Sequence, residues 1–232
     1  MKISVVIPAY NEEKYLEACL VSLKNQIEKP YEIIVVDNNS SDKTVKIAKK
    51  FNVKIIKEAK QGITPARNTG FNAAKGDIIA RIDADTRVQP DWIKRIRGYF
   101  EKDPKLLGLS GSAYFDKLPS FMKFHTWLAI GSSKLVQFTM QHDAMLGFNL
   151  ALRKEAWDLI KNEVCLNDKD VHEDMDLAIH INKYGKLLFD KSLLVNTSSR
   201  RLSKPKSLIE YPYRYLKTVK RHKKLNLSKF IS

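Results

Sequence analysis

The residues best suited to chemistry are two aspartates. Asp83 and Asp85 stand two positions apart, at the end of the run Asp77-Ile78-Ile79-Ala80-Arg81-Ile82. If that strand persists, the spacing points both carboxylates the same way. Paired carboxylates repel unless one is protonated or a cation is bound. A Mg²⁺ or Mn²⁺ ion carrying a diphosphate meets the need, because hard cations take carboxylate and phosphate oxygens together. Two other apolar runs end in polar clusters, Pro8-Ala9-Tyr10-Asn11-Glu12 and Asp37-Asn38-Asn39-Ser40-Ser41-Asp42. A lone strand-end aspartate is commonly a helix cap, whereas three clusters on one sheet edge would converge in one crevice. Glu173, Asp174 and Asp176 open a helical pattern, where acids complement the helix dipole.

The elements that must position these groups alternate strand and helix. Lys2–Ile7, Glu32–Val36, Val53–Ile56 and Asp77–Ile82 read as strands. Glu12–Asn25, a helix capped at Ser40-Ser41-Asp42 and running to Lys50, and Pro65–Ala74 read as the helices between them. Uniformly apolar strands alternating with helices predict an α/β domain with a mostly parallel sheet flanked by helices. Ligands of such sheets bind beyond the carboxyl ends of the strands. The second half is less regular. It predicts a helix over Pro90–Phe100, strands over Leu106–Tyr114 and Met145–Leu152, and a helix over Glu173–Tyr184. Short strands follow at Lys186–Phe189 and Leu193–Asn196, then a helix from Ser207 to about Lys223. With no repeat and no glycine-serine linker, the expectation is a single domain over 1–200 followed by a basic helical tail over 201–232.

The formal net charge of +15 is concentrated in that tail. From Arg200 to Ser232 eleven Lys and Arg face one acid, Glu210, which accounts for +10. Such a cluster suits phosphate-rich partners, including anionic lipid head groups, or is simply a solvated lysine-rich face. Cys19 and Cys165 make no disulfide framework and suit a reducing compartment. The five-residue apolar run Ile3–Ile7 is too short for a secretory signal, and no stretch approaches the ~20 apolar residues of a spanning helix. The expected location is cytoplasmic, peripheral on the inner face of the membrane if the tail engages it. His125, His142, His172, His180 and His222 show neither HExxH nor HxH spacing, so no histidine metal site is expected.

Taken together the motifs resemble the family 2 glycosyltransferases. The matching pieces are Val5–Glu12, Ile34–Asp42, Gly62–Gly70, Asp83-Ala84-Asp85, Gly147–Arg153 and Glu173–Leu177, in the family's order over roughly residues 2 to 185. The resemblance implies the nucleotide-diphospho-sugar transferase, Rossmann-like architecture called the A-type glycosyltransferase fold, with a nucleotide-binding half over 1–86 and an acceptor half over 87–200. It implies an inverting, metal-dependent enzyme that moves one sugar from a nucleotide sugar, UDP- or GDP-linked, to a glycan, small-molecule or lipid-linked acceptor. Pro8, Ala9, Tyr10, Glu12, Asp37 and Asn39 would line the nucleotide pocket, with Asp37 on the base, and Arg67 would approach the donor. Asp83 would contact the ribose or the metal, and Asp85 would ligate the metal directly. Asp174 would be the general base. Gly147, Asn149, Glu173, Arg200 and Arg201 would lie on the acceptor side, where the arginines could also meet the donor diphosphate.

The Gln-x-x-Arg-Trp pattern of processive members is absent, which favours one sugar per event, and Asp174 favours a hydroxyl acceptor over a lipid phosphate. The apolar stretch Phe121–Met140 suits either the core or a partly exposed helix at a membrane or lipid-linked acceptor. A nucleotidyltransferase would share the sheet and the carboxylates, but it usually needs a glycine-rich phosphate loop, and Ile7-Pro8-Ala9-Tyr10 has no glycine. Nucleic-acid binding is suggested by charge alone and is not expected, since no recognised module is present.

Overall fold

The computed structural model describes residues 1–116, 142–167, 171–201 and 213–222. Eight strands form one sheet. They are β1 (Ile3–Ala9), β2 (Glu32–Asp37), β3 (Lys54–Lys57), β4 (Ile78–Arg81), β5 (Arg87–Val88), β6 (Leu106–Asp116), β7 (Leu150–Arg153) and β8 (Lys186–Ser198), in the spatial order β3-β2-β1-β4-β7-β6-β8-β5. The first four are parallel. β7 pairs antiparallel with both β4 and β6, β8 runs parallel to β6, and β5 runs antiparallel to β8. The strand order reverses between β1 and β4, and such a switch point opens a crevice at the carboxyl edge of a sheet.

The apolar strands are apolar throughout because both faces are covered. Val5, Ile7 and Ala9 of β1 pack with Leu16, Leu20 and Leu23 of α1 (Leu16–Lys24) and with Trp92 and Ile96 of α4 (Trp92–Lys102). Val6, one residue out of phase, packs on the other face with Ala66 and Phe71 of α3 (Ile63–Ala73), Trp157 of α5 (Lys154–Ile160) and Leu177 of α6 (Glu173–Asn182). The remaining helices are α2 (Thr44–Lys49) and α7, over 213–222. Gly70 of α3 fits because it lacks a side chain: a Cβ there would lie 2.3 Å from Val6 Cγ1, so any larger residue would lift α3 off the sheet.

Several boundaries differ from the sequence reading. β4 stops at Arg81, so Asp83 and Asp85 lie in a turn, closed by the Thr86 N–H donating to the Asp83 carbonyl at 3.0 Å, and not on a persisting strand. Helix α1 starts at Leu16, because Glu12–Tyr15 form a turn in which the Glu12 carbonyl accepts from the N–H groups of both Tyr15 and Leu16. The strand expected over Met145–Leu152 is ordered as β7 only from Leu150. The two short strands after α6 are one strand, β8, whose register against β6 shifts between Gly111 and Ser112. At that irregularity Asp190 accepts from the Ser192 N–H at 2.9 Å, and Arg95 donates to the Ser192 carbonyl at 2.7 Å. Helix α5 and strand β5 are too short to show a period. The apolar stretch Phe121–Met140 and most of the tail lie outside the described residues.

Candidate active site

The loops after β1 and β2 are tied to each other before they can bind anything. Asn11 and Asn39 hold left-handed backbone (φ 54° and 64°), a conformation that asparagine tolerates. Asn11 Oδ1 accepts from the Ser41 N–H at 2.8 Å, and the Glu12 N–H donates to Thr44 Oγ1 at 2.7 Å. Asp37 is buried and accepts from the Ser40 N–H at 3.1 Å. Asn38, which the sequence reading passed over, staples β2 to the segment before α3. Its amide donates to the Glu58 and Lys60 carbonyls at 2.9 and 2.8 Å and accepts from the Gly62 N–H at 2.8 Å. Asn39 donates to the Ala59 carbonyl at 2.7 Å. Pro8 and Ala9 lie buried at the end of β1, and Tyr10 stands exposed at the rim.

Glu12, Asp83 and Asp85 converge. Asp85 Oδ2 accepts from Arg200 Nε at 2.9 Å, Thr197 donates to Asp85 Oδ1 at 3.3 Å, and the same Arg200 guanidinium pairs with Glu12 and lies 4.6 Å over the Tyr15 ring. Beneath them, the Cys19 thiol is 3.9 Å from the Asp83 carbonyl. Its pKa is pushed well above the usual thiol range, first by burial and then by the charges of Asp85, Asp83 and Glu12. Arg200, expected on the acceptor side, thus closes the strand-end carboxylates through the 3₁₀ turn Ser199–Arg201.

A second group of acids meets the first across one buried guanidinium. Arg81, in β4, contacts Asp83 through Nη2 at 3.3 Å and Asp174 through Nη1 at 3.2 Å, and Nη1 also donates to Glu173. Burial works against the charge on Arg81, but Glu173, Asp174 and Asp83 hold it protonated. Glu173 is wedged between Arg81 and Arg67. Although burial opposes it, the two guanidiniums keep its carboxyl far below the usual range. Asp174 goes the other way: burial, then the neighbouring Glu173 charge, raise its pKa well above the ordinary value. The Gly147 N–H donates to Asp174 Oδ2 at 2.8 Å. A Cβ at Gly147 would fall 2.7 Å from Asp174 Oδ1 and 2.8 Å from the Arg81 guanidinium carbon, so this glycine is what lets the chain approach the carboxylate.

The sequence profile of Glycosyl transferase family 2 covers residues 4–158. The chain belongs to that family. The glycosyltransferase AglE of Haloferax volcanii is 37% identical over 101 residues, 40% of this chain and 33% of AglE. A dolichyl N-acetyl-α-D-glucosaminyl phosphate 3-β-D-2,3-diacetamido-2,3-dideoxy-β-D-glucuronosyltransferase of Methanococcus voltae is 27% identical over 223 residues, 87% of this chain and 68% of that enzyme. The chain spans about a third or less of the length of several other curated relatives. Among solved structures, the mannosyltransferase PcManGT of Pyrobaculum calidifontis, in complex with GDP-Man and Mn²⁺, is alike in fold. Its TM-score is 0.66 at 19% identity, over 84% of this chain and 56% of that one. The fold is the A-type glycosyltransferase fold.

Within this family 2 domain, not every residue singled out from the sequence faces the crevice. Asn149 is fully buried: it accepts from Trp92 Nε1 at 3.0 Å and donates to the Ser112 and Leu193 carbonyls at 3.0 and 2.7 Å. Its amide therefore braces α4, β6 and β8 and has no acceptor-facing group to spare. Arg67 is likewise inward, bonded to the Glu173 carboxylate and carbonyl, while its Nη2 is buried without a hydrogen bond. The side chain of Arg201 is outside the described residues. Arg81 was missed, although a charged residue inside the apolar run Ile78-Ile79-Ala80-Arg81-Ile82 must be paired when buried, and that was a usable signal.

The structure adds a histidine cluster that sequence spacing does not show. Asp176, His180 and His222 gather in one buried cluster, because α7 docks on α6 through the His172 N–H to Thr218 Oγ1 (2.7 Å) and His222 Nε2 to Asp176 Oδ1 (3.0 Å). Sequence spacing misses this, since His222 lies 46 residues from Asp176. Among the described residues, no helix is long and apolar enough to cross a membrane.

Proposed function

We propose that this chain transfers a single sugar, with inversion, from a UDP- or GDP-linked donor to an acceptor hydroxyl. The observation that carries the reading is Arg81, one buried guanidinium touching Asp83 on the strand-end side and Glu173 and Asp174 on the helix side. Groups suited to a diphosphate and a group suited to proton abstraction thereby share one crevice. Pro8, Ala9, Tyr10, Asp37 and Asn39 would hold the nucleotide, whereas Arg67, turned inward onto Glu173, would bear on the site only through that carboxylate.

Asp85 and Asp83, with Glu12 nearby, would hold a Mn²⁺ or Mg²⁺ ion. They fit one: they are hard oxygen donors, and their convergence already draws a cationic guanidinium onto Asp85 and Glu12. A cation bound there would neutralise the charge that grows on the leaving diphosphate. Asp174 takes the proton from the acceptor hydroxyl as the oxygen attacks the anomeric carbon from the face opposite the leaving group. One base and one displacement invert the configuration. Its raised pKa suits the task, because a general base works best when its pKa approaches the working pH. Gly147 fixes the carboxylate through its N–H, and Arg81 stabilises the ionised form.

The acceptor class is drawn from the relatives. The Methanococcus voltae enzyme acts, by its name, on a dolichyl-phosphate-linked sugar, which supports a lipid-linked acceptor here. Helix α7 presents Tyr213 (60% exposed), Leu216 (66%), Lys220 and Arg221 outward, a mixture suited to an anionic bilayer surface.

The test is a thermal-shift panel of nucleotides and nucleotide sugars with and without Mn²⁺. A ligand that binds only the folded state stabilises it by about 2.7 kcal/mol at a hundredfold excess over Kd. The expected result is a metal-dependent shift with one nucleotide class, lost in Asp85→Asn. A shift that Asp85→Asn retains in full overturns the metal assignment, and no shift with any donor overturns the donor reading.

A further inference from the structure

Away from the crevice, we infer that Asp176, His180 and His222 form a second metal site, for a transition ion of the Zn²⁺ type. The three side chains are 1%, 5% and 5% exposed, and their ligand atoms all lie within 4.8 Å of one another. Asp176 Oδ1 is 3.0 Å from His222 Nε2 and 3.7 Å from His180 Nε2. A tetrahedral ion with bonds of about 2.0–2.2 Å holds its ligand atoms roughly 3.3–3.6 Å apart. The two distances from Asp176 bracket that range, and ligand atoms within 4.8 Å of one another need to close by at most about 1.5 Å to complete it. Two imidazoles and one carboxylate are a borderline donor set, unlike the all-oxygen set of Asp83 and Asp85.

The surroundings of His180 admit the tautomer that the assignment needs. Its Nδ1 is 3.2 Å from Glu163 Oε2 and 3.0 Å from Lys183 Nζ, and Lys183 also donates to Glu163 Oε2 at 2.9 Å. If Lys183 donated to Nδ1, the ring proton would sit on Nε2. Its facing acceptor, Asp176 Oδ1, is then beyond hydrogen-bond length at 3.7 Å. With the proton on Nδ1 and donated to Glu163, the Nε2 lone pair faces a carboxylate oxygen, an arrangement that a cation between them makes favourable. A carboxylate behind a ligating histidine is the usual outer support of such sites. Asp176 is supported in the same way, because Oδ2 accepts from the Cys165 N–H at 2.7 Å while Oδ1 turns to the histidines.

The site joins α7 to α6 two positions beyond Asp174, so the ion clamps the basic C-terminal helix onto the helix that carries the candidate base. It is independent of the donor reading.

The full chain, stripped with EDTA, is titrated with Co²⁺ and then challenged with Zn²⁺. Expected is one equivalent of Co²⁺ with the intense visible bands of a tetrahedral site, displaced by Zn²⁺. The bands persist in Asp85→Asn and vanish in both His180→Gln and His222→Gln, each checked for folding by circular dichroism. Wild-type protein without those bands overturns the inference, whatever the variants do. So does a spectrum that survives both histidine variants, or one that Asp85→Asn abolishes.

Discussion

Replacing Asp174 by Asn separates catalysis from stability more sharply than any other change, because Asp174 and Glu173 sit against the same arginine with opposite pKa shifts. The asparagine is nearly isosteric and its carbonyl can still accept from the Gly147 N–H, now 2.8 Å from Oδ2. A carboxyl whose pKa is raised on folding binds its proton more tightly in the folded state. Stability therefore falls as pH rises from its ordinary value toward the raised one, and a neutral amide removes that slope. Asp174→Asn should melt no lower than wild type at neutral pH. Glu173→Gln should do the reverse, because Arg67 and Arg81 would lose the carboxylate that pairs them; breaking a buried pair costs about 3–5 kcal/mol. Losing a general base costs about 10²–10⁴-fold in rate, or about 3–5 kcal/mol of barrier. The assay is nucleotide release from the donor that the thermal-shift panel identifies, with an acceptor present and beside melting curves, from pH 5 to 9. Wild-type kcat should climb as Asp174 deprotonates, with the rising limb above the usual carboxylate range, and Asp174→Asn should be slow and flat. An Asp174→Asn enzyme with more than a tenth of wild-type kcat refutes the base assignment. One that melts as low as Glu173→Gln refutes the electrostatic argument.

Three other perturbations test the surroundings. Gly147→Ala puts a methyl 2.7 Å from Asp174 Oδ1 and should lower kcat at least tenfold with little change in donor KM; unchanged kcat means the carboxylate is free to move. Asn149→Ala strips partners from the Trp92 indole and two carbonyls, and should lower stability by about 2–4 kcal/mol in urea unfolding; an acceptor-KM effect without a stability change would restore it to the acceptor side. Leu216→Asp with Lys220→Glu should weaken co-sedimentation with anionic vesicles, and equal sedimentation would remove the membrane reading.

The parallel half of the fold was legible because its inner strands, β1, β2 and β4, are covered on both faces. Ile3 to Ile7 and Ile33 to Val36 could not be half-exposed, and the polar residue ending each run had to sit on the carboxyl edge. The antiparallel half was less so. Leu150–Arg153 is four residues long and carries no period of its own, and it is a strand because Ala80 and Leu109 flank Ala151 on both sides. The same limit applies to the site. Asp83, Asp85 and Asp174 announce themselves by type and position, whereas the partnership of Asp176 with His222 depends on how α7 docks, which tertiary packing decides.

The distribution of cations around the crevice explains why Arg81 matters more than the sequence suggested. Glu12, Asp83, Asp85, Glu173 and Asp174 bring five carboxyls together, and among the described residues Arg67, Arg81 and Arg200 face them. Glu173 is held ionised between two of these arginines, while Asp174 has only a share of Arg81 and shifts toward its protonated form. That inequality arises on both sides: Arg81 and then Arg67 hold Glu173 ionised, while burial and the Glu173 charge push Asp174 the other way. Adjacent positions of a helix thus carry one carboxyl held ionised and one held toward its protonated form. Two carboxyls whose surroundings push their pKa values apart are what proton transfer near neutral pH requires. The dipole of α6 alone, acting on both residues alike, could not have produced it.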